Sequence, residues 1–308
     1  MVKKAYLFPG QGSQFIGMGR DLYDANPKVK ELYQRANDIM GLDLAKICFE
    51  GPEEKLKQTE ITQPAIFVHS MAVYELIKDE FPAPAAVAGH SLGEYSALVA
   101  AGSLRFEDGL SLVKIRGELM QKAGTEQPGT MGAIIGLEEN VVNDICDSLL
   151  SVGVVRAANF NSPGQIVVSG DVEAVRAAME LAKEKGAKRA VELVVSGAFH
   201  SPLMESAADG LAEALKKAEI NNALIPVYTN VQATPSFKNS EIRELLFKQL
   251  THPVRWEEII RNMSSDNIEE FYELGPGKVL TGLNKRINRE LSSIPVGTVS
   301  DIDSLKNN

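Results

Sequence analysis

The sequence predicts an α/β fold in which a mostly parallel sheet is covered by helices and one small domain is inserted. Two observations support this prediction. In the first and last parts of the 308-residue chain, short apolar segments alternate with segments of helical periodicity, which is typical of a parallel sheet. In the middle part, two apolar segments follow each other across a tight turn, which indicates antiparallel pairing.

The first part begins with an apolar strand that Pro9 and Gly10 terminate. Its helices have apolar residues at three- and four-residue spacing, and the first of them ends at Gly41. In chain order we predict a strand at 4–8, helices at 27–40 and 64–78, a strand at 85–88, and helices at 94–101 and 107–121.

The middle part follows a glycine- and proline-containing segment, 124–129, which we interpret as a linker. The predicted elements are strands at 131–136, 154–158, 165–169 and 188–195, a turn at 161–164, and helices at 138–150 and 171–185. Asp171 is the expected cap of the second helix. The order β-α-β-β-α-β is that of a ferredoxin-like domain, so we predict a small domain at 129–195 and a large domain at 1–128 and 196–308.

The last part returns to alternating helices and strands. We predict helices at 203–218, 241–250, 254–263 and 279–288, strands at 225–229, 268–274 and 295–299, and a frayed polar tail at 304–308. Glycines on both sides of Pro276 end the strand at 268–274.

Composition excludes several functions. Asp and Glu number 41 against 32 Lys and Arg, a net charge of −9, and no five basic residues are consecutive, which argues against nucleic-acid binding. Cys48 and Cys146 have no partners at metal-ligand spacing and are interpreted as reduced thiols, with a disulfide pair as the alternative. No apolar stretch reaches a secretory or membrane-spanning length, so we expect a cytoplasmic protein without membrane association.

The segment G-H-S-L-G at 89–93 matches G-x-S-x-G, with an apolar strand before it and a helix after it. In a nucleophile elbow the glycines leave room for a tight turn that exposes the serine, so the motif predicts an α/β-hydrolase-like core with Ser91 as nucleophile. The alternative is a glycine-rich turn with an incidental serine.

A serine nucleophile needs a base, and the chain has four histidines. His200 lies in a loop between a predicted strand and helix, where open α/β sheets commonly carry catalytic groups. We interpret His69, His90 and His252 as structural. No Asp or Glu between Ser91 and His200 stands out as the third member of a triad.

These motifs together resemble the malonyl-CoA:acyl carrier protein transacylase family of type II fatty acid synthesis over essentially the whole chain. The matching segments are P-G-Q-G-S-Q at 9–14, G-H-S-L-G-E-Y at 89–95, Arg116, N-F-N-S-P at 159–163, G-A-F-H-S at 197–201, Gln249, and H-P-V-R-W at 252–256.

The resemblance implies a role for each matching residue. Ser91 would be acylated, and His200 would be its general base and acid. The main-chain amides of Gln11 and Leu92 would form the oxyanion hole, and the main-chain carbonyl of Gln249 would orient His200.

The resemblance also implies which residues would recognise the substrate. Arg116 would hold the malonyl carboxylate, although from the sequence alone a surface ion pair is the expected role of an arginine in this helix. Gln63 and Asn159 would line the site. Phe199 would exclude branched acyl groups, because F-H at this place accompanies malonyl, and S-H methylmalonyl, in the wider acyltransferase family.

The resemblance therefore implies a ping-pong transfer from malonyl-CoA to holo acyl carrier protein, with coenzyme A as product and with no metal or tightly bound cofactor. We expect a monomer. Lys183, Lys185, Lys188 and Arg189 are candidates for docking the acyl carrier protein, with a solvated helix end and turn as the favoured alternative. The alternatives are a polyketide acyltransferase acting in trans, a serine esterase or thioesterase, and a carrier-binding module without activity.

Overall fold

The computed structural model describes residues 2–307. The strands of this part are β1 Lys4–Phe8, β2 Ala86–Gly89, β3 Gly129–Ile135, β4 Val155–Ser162, β5 Gln165–Asp171, β6 Arg189–Glu192, β7 Val227–Tyr228, β8 Pro235–Ser236, β9 Glu270–Leu274 and β10 Ser292–Val296. The helices are α1 Arg20–Ala25, α2 Pro27–Met40, α3 Leu44–Glu50, α4 Glu53–Leu56, α5 Thr59–Ile77, α6 Gly93–Ala100, α7 Phe106–Glu126, α8 Glu139–Ser148, α9 Val172–Glu184, α10 Ala208–Lys217, α11 Asn239–Gln249, α12 Trp256–Ser265, α13 Val279–Ile287 and α14 Val299–Lys306, and a 3₁₀ helix, Pro202–Ala207, precedes α10. Within residues 2–307, no helix combines the length and the apolar character that crossing a bilayer requires.

The larger sheet has the strand order β10-β9-β1-β2-β7-β8. Its first five strands are parallel, and only β8 runs antiparallel to its neighbour. The prediction of an α/β fold with a mostly parallel sheet is therefore confirmed. Because parallel strands end at the same edge, the segments that follow β1, β2 and β7 meet at one place.

Helices cover both faces of this sheet, as its apolar strands require. Alternate residues of β1 point to opposite faces. Ala5 and Leu7 belong to a core cluster with residues of α12 and α13, including Trp256. Tyr6 and Phe8 belong to the larger core cluster on the other face, which contains much of α5 and α7.

The smaller sheet is antiparallel throughout and has the order β4-β5-β3-β6. Along the chain its elements follow the order β3-α8-β4-β5-α9-β6 that the sequence predicts. Helices α8 and α9 pack on this sheet around their own apolar cluster. The chain leaves the larger sheet after α7 and returns to it beyond β6.

Two helices are longer than predicted. Helix α5 begins at Thr59, so Pro64 lies inside it, although a start at Pro64 was expected. Fifteen of its 19 residues are buried, and this packing outweighs the hydrogen bond that a proline removes. Helix α7 continues to Glu126, so the predicted linker at 124–129 is wrong. Gly124 is there for close packing, because a Cβ would lie 1.9 Å from the carbonyl oxygen of Ser196.

Three predictions made from turn and cap residues are also wrong. Asp171 makes no cap bond, and its carboxylate instead accepts a hydrogen bond from the Val154 N–H. Strand β4 continues through Asn161 and Ser162, so the turn is shorter than predicted and comprises only Pro163 and Gly164. The predicted frayed tail at 304–308 is helical up to Lys306, because Thr298 and Asp301 form a capping box that begins α14. Asn308 lies outside the described residues. Helices α1, α3, α4 and α14 and strand β8, all of eight residues or fewer, were not predicted from the sequence.

Candidate active site

Ser91 occupies a tight turn between β2 and α6. Its backbone is left-handed, with a φ of 52°. The flanking glycines permit this turn, because a Cβ on Gly89 would lie 1.9 Å from the Gly93 carbonyl carbon and one on Gly93 would lie 2.1 Å from the Phe8 oxygen. The turn therefore presents the serine hydroxyl beyond the strand end, at the N-terminus of α6.

His200 lies beside this hydroxyl. Its Nε2 is 2.8 Å from the Ser91 Oγ, and its Nδ1 is 2.8 Å from the main-chain oxygen of Gln249. A carbonyl only accepts, so Nδ1 carries the proton and Nε2 accepts from the serine. Burial, followed by the positive charge of Arg116, lowers the pKa of His200 to about 3. The imidazole is therefore neutral near pH 7, which is the form a base needs.

Arg116 reaches the same point from α7 and is only 1% exposed. It donates from Nη1 to the Gln63 Oε1 at 2.6 Å and from Nη2 to the Gln249 Oε1 at 2.9 Å. Nη2 also donates to the Ser91 Oγ at 3.0 Å. Each of these partners is neutral, so the surface ion pair expected from the sequence alone is wrong. A buried guanidinium without a contacting carboxylate is suited to binding an anion.

The dyad and Arg116 line one pocket of about 190 Å³. The structure brings the other residues singled out in the sequence to this pocket as well: Gln11, Gln63, Leu92, Asn159 and Phe199. Gln11 follows β1 and Leu92 follows Ser91, and their main-chain N–H groups donate to no group within residues 2–307. Asn159 comes from β4, so both sheets contribute to the pocket walls.

Sequence reasoning missed two residues below the serine. The Asn230 Oδ1 accepts a hydrogen bond from the Ser91 N–H at 2.7 Å, and its Nδ2 donates to the Gly89 oxygen at 2.6 Å. The Glu94 carboxylate accepts from the Asn230 N–H at 3.0 Å and from the Gln249 Nε2 at 2.8 Å. Asn230 could have been found, because it comes shortly after a predicted strand at the edge where functional groups gather.

The remaining histidines make structural contacts. His90 bonds the Asn161 side chain at 2.8 Å and its ring packs near Trp256. His69 is buried against the main-chain oxygen of Gly297, and this burial lowers its pKa to about 4. His252 bonds the main-chain oxygen of the preceding helical turn. Within residues 2–307, no three His, Cys, Asp or Glu side chains are grouped so that they could hold a metal ion.

Comparison with known proteins connects this geometry with a family. A family model described as acyl transferase domain matches residues 5–301. The malonyl CoA-acyl carrier protein transacylase of Bacillus subtilis is 46% identical over 304 residues, which cover 98% of this chain and 96% of the relative. A crystal structure of an acyl carrier protein S-malonyltransferase from Vibrio cholerae is 45% identical, with a TM-score of 0.94 over 98% of this chain and 99% of the other. A malonyl-transacylase solved in complex with a type II polyketide acyl-carrier protein is 42% identical, with a TM-score of 0.96 over 99% of this chain and 100% of the other.

Proposed function

Since the chain belongs to the acyl transferase family, we propose that it transfers the malonyl group of malonyl-CoA to the phosphopantetheine thiol of holo acyl carrier protein. One observation carries this proposal. A serine–histidine dyad and a buried guanidinium with only neutral partners share a single pocket. The dyad can carry out acyl transfer, and the guanidinium can bind the carboxylate at the end of a malonyl group.

In the first half-reaction, the Ser91 Oγ attacks the thioester carbonyl while its proton passes to the His200 Nε2. The N–H groups of Gln11 and Leu92 donate to the oxygen of the tetrahedral intermediate. The carbon–sulfur bond then breaks, and coenzyme A leaves with the proton that His200 returns. Malonyl remains on Ser91 as an ester.

In the second half-reaction, the phosphopantetheine thiol takes the place of coenzyme A. His200 accepts the thiol proton as sulfur attacks the ester, and it returns the proton to the Ser91 oxygen as the ester bond breaks. His200 is oriented throughout by the Gln249 carbonyl, 2.8 Å from its Nδ1. A neutral carbonyl stabilises imidazolium less than a carboxylate would, and this suits a reactive thioester substrate.

Arg116 is proposed to bind the malonyl carboxylate through its planar fork of N–H donors. Gln63 holds this guanidinium at 2.6 Å, and Asn159 lines the pocket beside it. An acyl group without a carboxylate would leave the buried charge unpaired, so the pocket selects against acetyl. The same argument disfavours a general esterase or thioesterase.

The architecture is proposed to consist of an α/β-hydrolase-like large domain, 1–128 and 196–308, and a ferredoxin-like small domain, 129–195. The strand order of the antiparallel sheet and the Ser91 turn support this division. Residues of the smaller sheet, including Met131 and Val167, line the pocket with the dyad. The acyl chain therefore binds between the two units.

The carrier is proposed to dock through basic side chains, because carrier proteins are acidic and this chain has a net charge of −9. Lys183, Lys185, Lys188 and Arg189 are all exposed, although Lys183 is paired with Glu180. Their role stays a prediction, with a solvated helix end as the alternative. The likeness to a transacylase solved with a polyketide carrier also keeps a polyketide pathway open beside fatty acid synthesis.

The test is intact-protein mass spectrometry after mixing with malonyl-CoA. We expect one malonyl group on Ser91, and its loss when holo acyl carrier protein is added, with the malonyl group recovered on the carrier. Free malonate released in the absence of carrier would indicate a hydrolase. An unmodified protein would leave only carrier binding.

Phe199→Ser should relax the choice of acyl group. Phe199 is 5% exposed and lines the pocket beside His200, so a smaller side chain makes room for a methyl branch. We expect the preference for malonyl-CoA over methylmalonyl-CoA, measured as a ratio of kcat/KM values, to fall by about 10-fold. Phe237→Ser, at an exposed phenylalanine outside the pocket, is the control. An unchanged ratio would show that Phe199 does not set this selectivity.

A further inference from the structure

Glu94 is a buried carboxylate that the proposed reaction does not use. It lies in the first turn of α6, three residues after Ser91, and is 1% exposed. Burying a carboxylate is costly unless its oxygens are hydrogen-bonded. Here one oxygen accepts from the Asn230 N–H at 3.0 Å and from the Gln249 Nε2 at 2.8 Å. Its position below the nucleophile suggests that this cost serves the site.

One of these two partners, Gln249, connects Glu94 with Arg116. The Gln249 Nε2 donates to the Glu94 carboxylate and to the main-chain oxygen of Ser91, the latter at 3.0 Å. Its Oε1 accepts from the Arg116 Nη2 at 2.9 Å. A 180° rotation of the carboxamide would exchange its oxygen and its nitrogen. Because the Glu94 anion needs a donor and the Arg116 cation needs an acceptor, only the observed orientation satisfies both. Glu94 therefore decides where the acceptor of Arg116 lies.

The other partner, Asn230, connects Glu94 with the turn that contains Ser91. The N–H that binds Glu94 belongs to the residue whose side chain accepts from the Ser91 N–H at 2.7 Å and donates to the Gly89 oxygen at 2.6 Å. These bonds hold the left-handed backbone of Ser91 in place. Loss of the anion would loosen both supports at once.

We infer that Glu94 is a positioning residue for acyl transfer, whose carboxylate fixes Gln249 and Asn230 and through them Arg116 and Ser91. Glu94 does not contact the substrate in this role. The inference rests on the proposed function, because it explains how the groups of that reaction are held. It adds a requirement that the reaction alone does not state, namely that residue 94 must be ionised.

This requirement has a distinct pH signature. Burial raises the pKa of Glu94 to about 7, and the facing charge of Arg116 opposes this shift. The other groups that face Glu94 are Asn230 and Gln249, which do not titrate, and its neighbour Tyr95, whose pKa burial raises to about 12. The pKa of His200 is lowered to about 3. We therefore expect activity to fall as the pH falls through about 7, and the absence of this fall in a variant without the carboxyl group would assign it to Glu94 rather than to the base.

The experiment measures kcat/KM for acylation of Ser91 by malonyl-CoA from about pH 5 to about pH 9, because this ratio reports the pKa values of the free enzyme. Rapid quenching and intact mass detect the adduct. The variants are Glu94→Gln, which removes the charge, and Glu94→Asp, which keeps it. Asp171→Asn is the control, since this carboxylate also accepts a main-chain N–H but lies outside the pocket.

We expect the wild type and Glu94→Asp to lose activity as the pH falls through about 7. Glu94→Gln should be about 10- to 100-fold slower at pH 8, as expected for a small displacement of reacting groups, and should lack this pH dependence. Its Tm at pH 8 should be no lower than that of the wild type, because burying an ionised carboxyl with a raised pKa destabilises the fold above that pKa. Asp171→Asn should keep the wild-type profile.

Two results would overturn the inference. One is a Glu94→Gln variant whose activity falls below about pH 7 as that of the wild type does, because the group that titrates would then not be Glu94. The other is a Glu94→Gln variant that acylates at the wild-type rate, or that loses activity and Tm together. If the wild type forms no malonyl adduct at any pH, the proposed function itself fails, and this outcome is distinguishable from both.

Discussion

Ser91→Ala should form no malonyl adduct, and His200→Ala should retain only a small residual rate. The two side chains act as one unit through the 2.8 Å contact between the Ser91 Oγ and the His200 Nε2. In such units, loss of either member costs about 10⁶-fold in kcat, and the rate that remains comes from the oxyanion donors and from binding. The measurements are adduct formation by intact mass and kcat/KM for transfer to the carrier.

The control for the dyad is Ser96→Ala. Ser96 lies on α6, the helix that follows Ser91, is buried, and its hydroxyl has no partner within residues 2–307, so its loss should leave acylation unchanged. A malonyl adduct on another residue of Ser91→Ala would show that the nucleophile is misassigned. Near-normal acylation of His200→Ala would transfer the base role to His90, the histidine nearest in sequence to the nucleophile.

The accuracy of the sequence predictions follows how local their signals are. Strand β1 and helix α2 were predicted to the residue, because Pro9 and Gly10 end one and Gly41 ends the other. The end of α7 was wrong because Gly124 looks like a loop residue, although it allows close contact with a segment over 70 residues away. Only tertiary packing separates these two uses of glycine.

The same distinction applies to the site. Ser91 was identified from its motif, since the turn is local. The pairing with Asn230 spans 139 residues, and although the position of Asn230 after a predicted strand marks it as a candidate, no local pattern identifies Ser91 as its partner. Arg116 could have been recognised as buried, because it lies on the apolar stripe of its helix with Val113 and Met120. A charge on that stripe was the sign that the ion-pair interpretation overlooked.

Arg116→Ala should lose malonyl transfer selectively. Within residues 2–307, the guanidinium donates hydrogen bonds only to neutral oxygens, so a malonyl carboxylate would be its first ionic partner in contact. Without it, the carboxylate is desolvated and unpaired, which costs about 2–5 kcal/mol in kcat/KM for malonyl-CoA. Arg116→Lys should recover part of this loss, because an ammonium keeps the charge but lacks the planar fork. Arg35→Ala, at an exposed ion pair with Glu107, should behave as the wild type.

Acetyl-CoA decides between the two roles that the geometry offers Arg116. Since Nη2 also donates to the Ser91 Oγ at 3.0 Å, the arginine could instead support the nucleophile, and both substrates would then lose equally. If the carboxylate role holds, acetyl transfer should not fall and could rise. The acetyl group has no carboxylate to pair with Arg116, so it loses no ionic contact in this variant. The positive charge of Arg116 also lowers the pKa of His200, so its removal makes His200 a stronger base. The ratio of the two kcat/KM values therefore measures substrate recognition separately from support of the dyad.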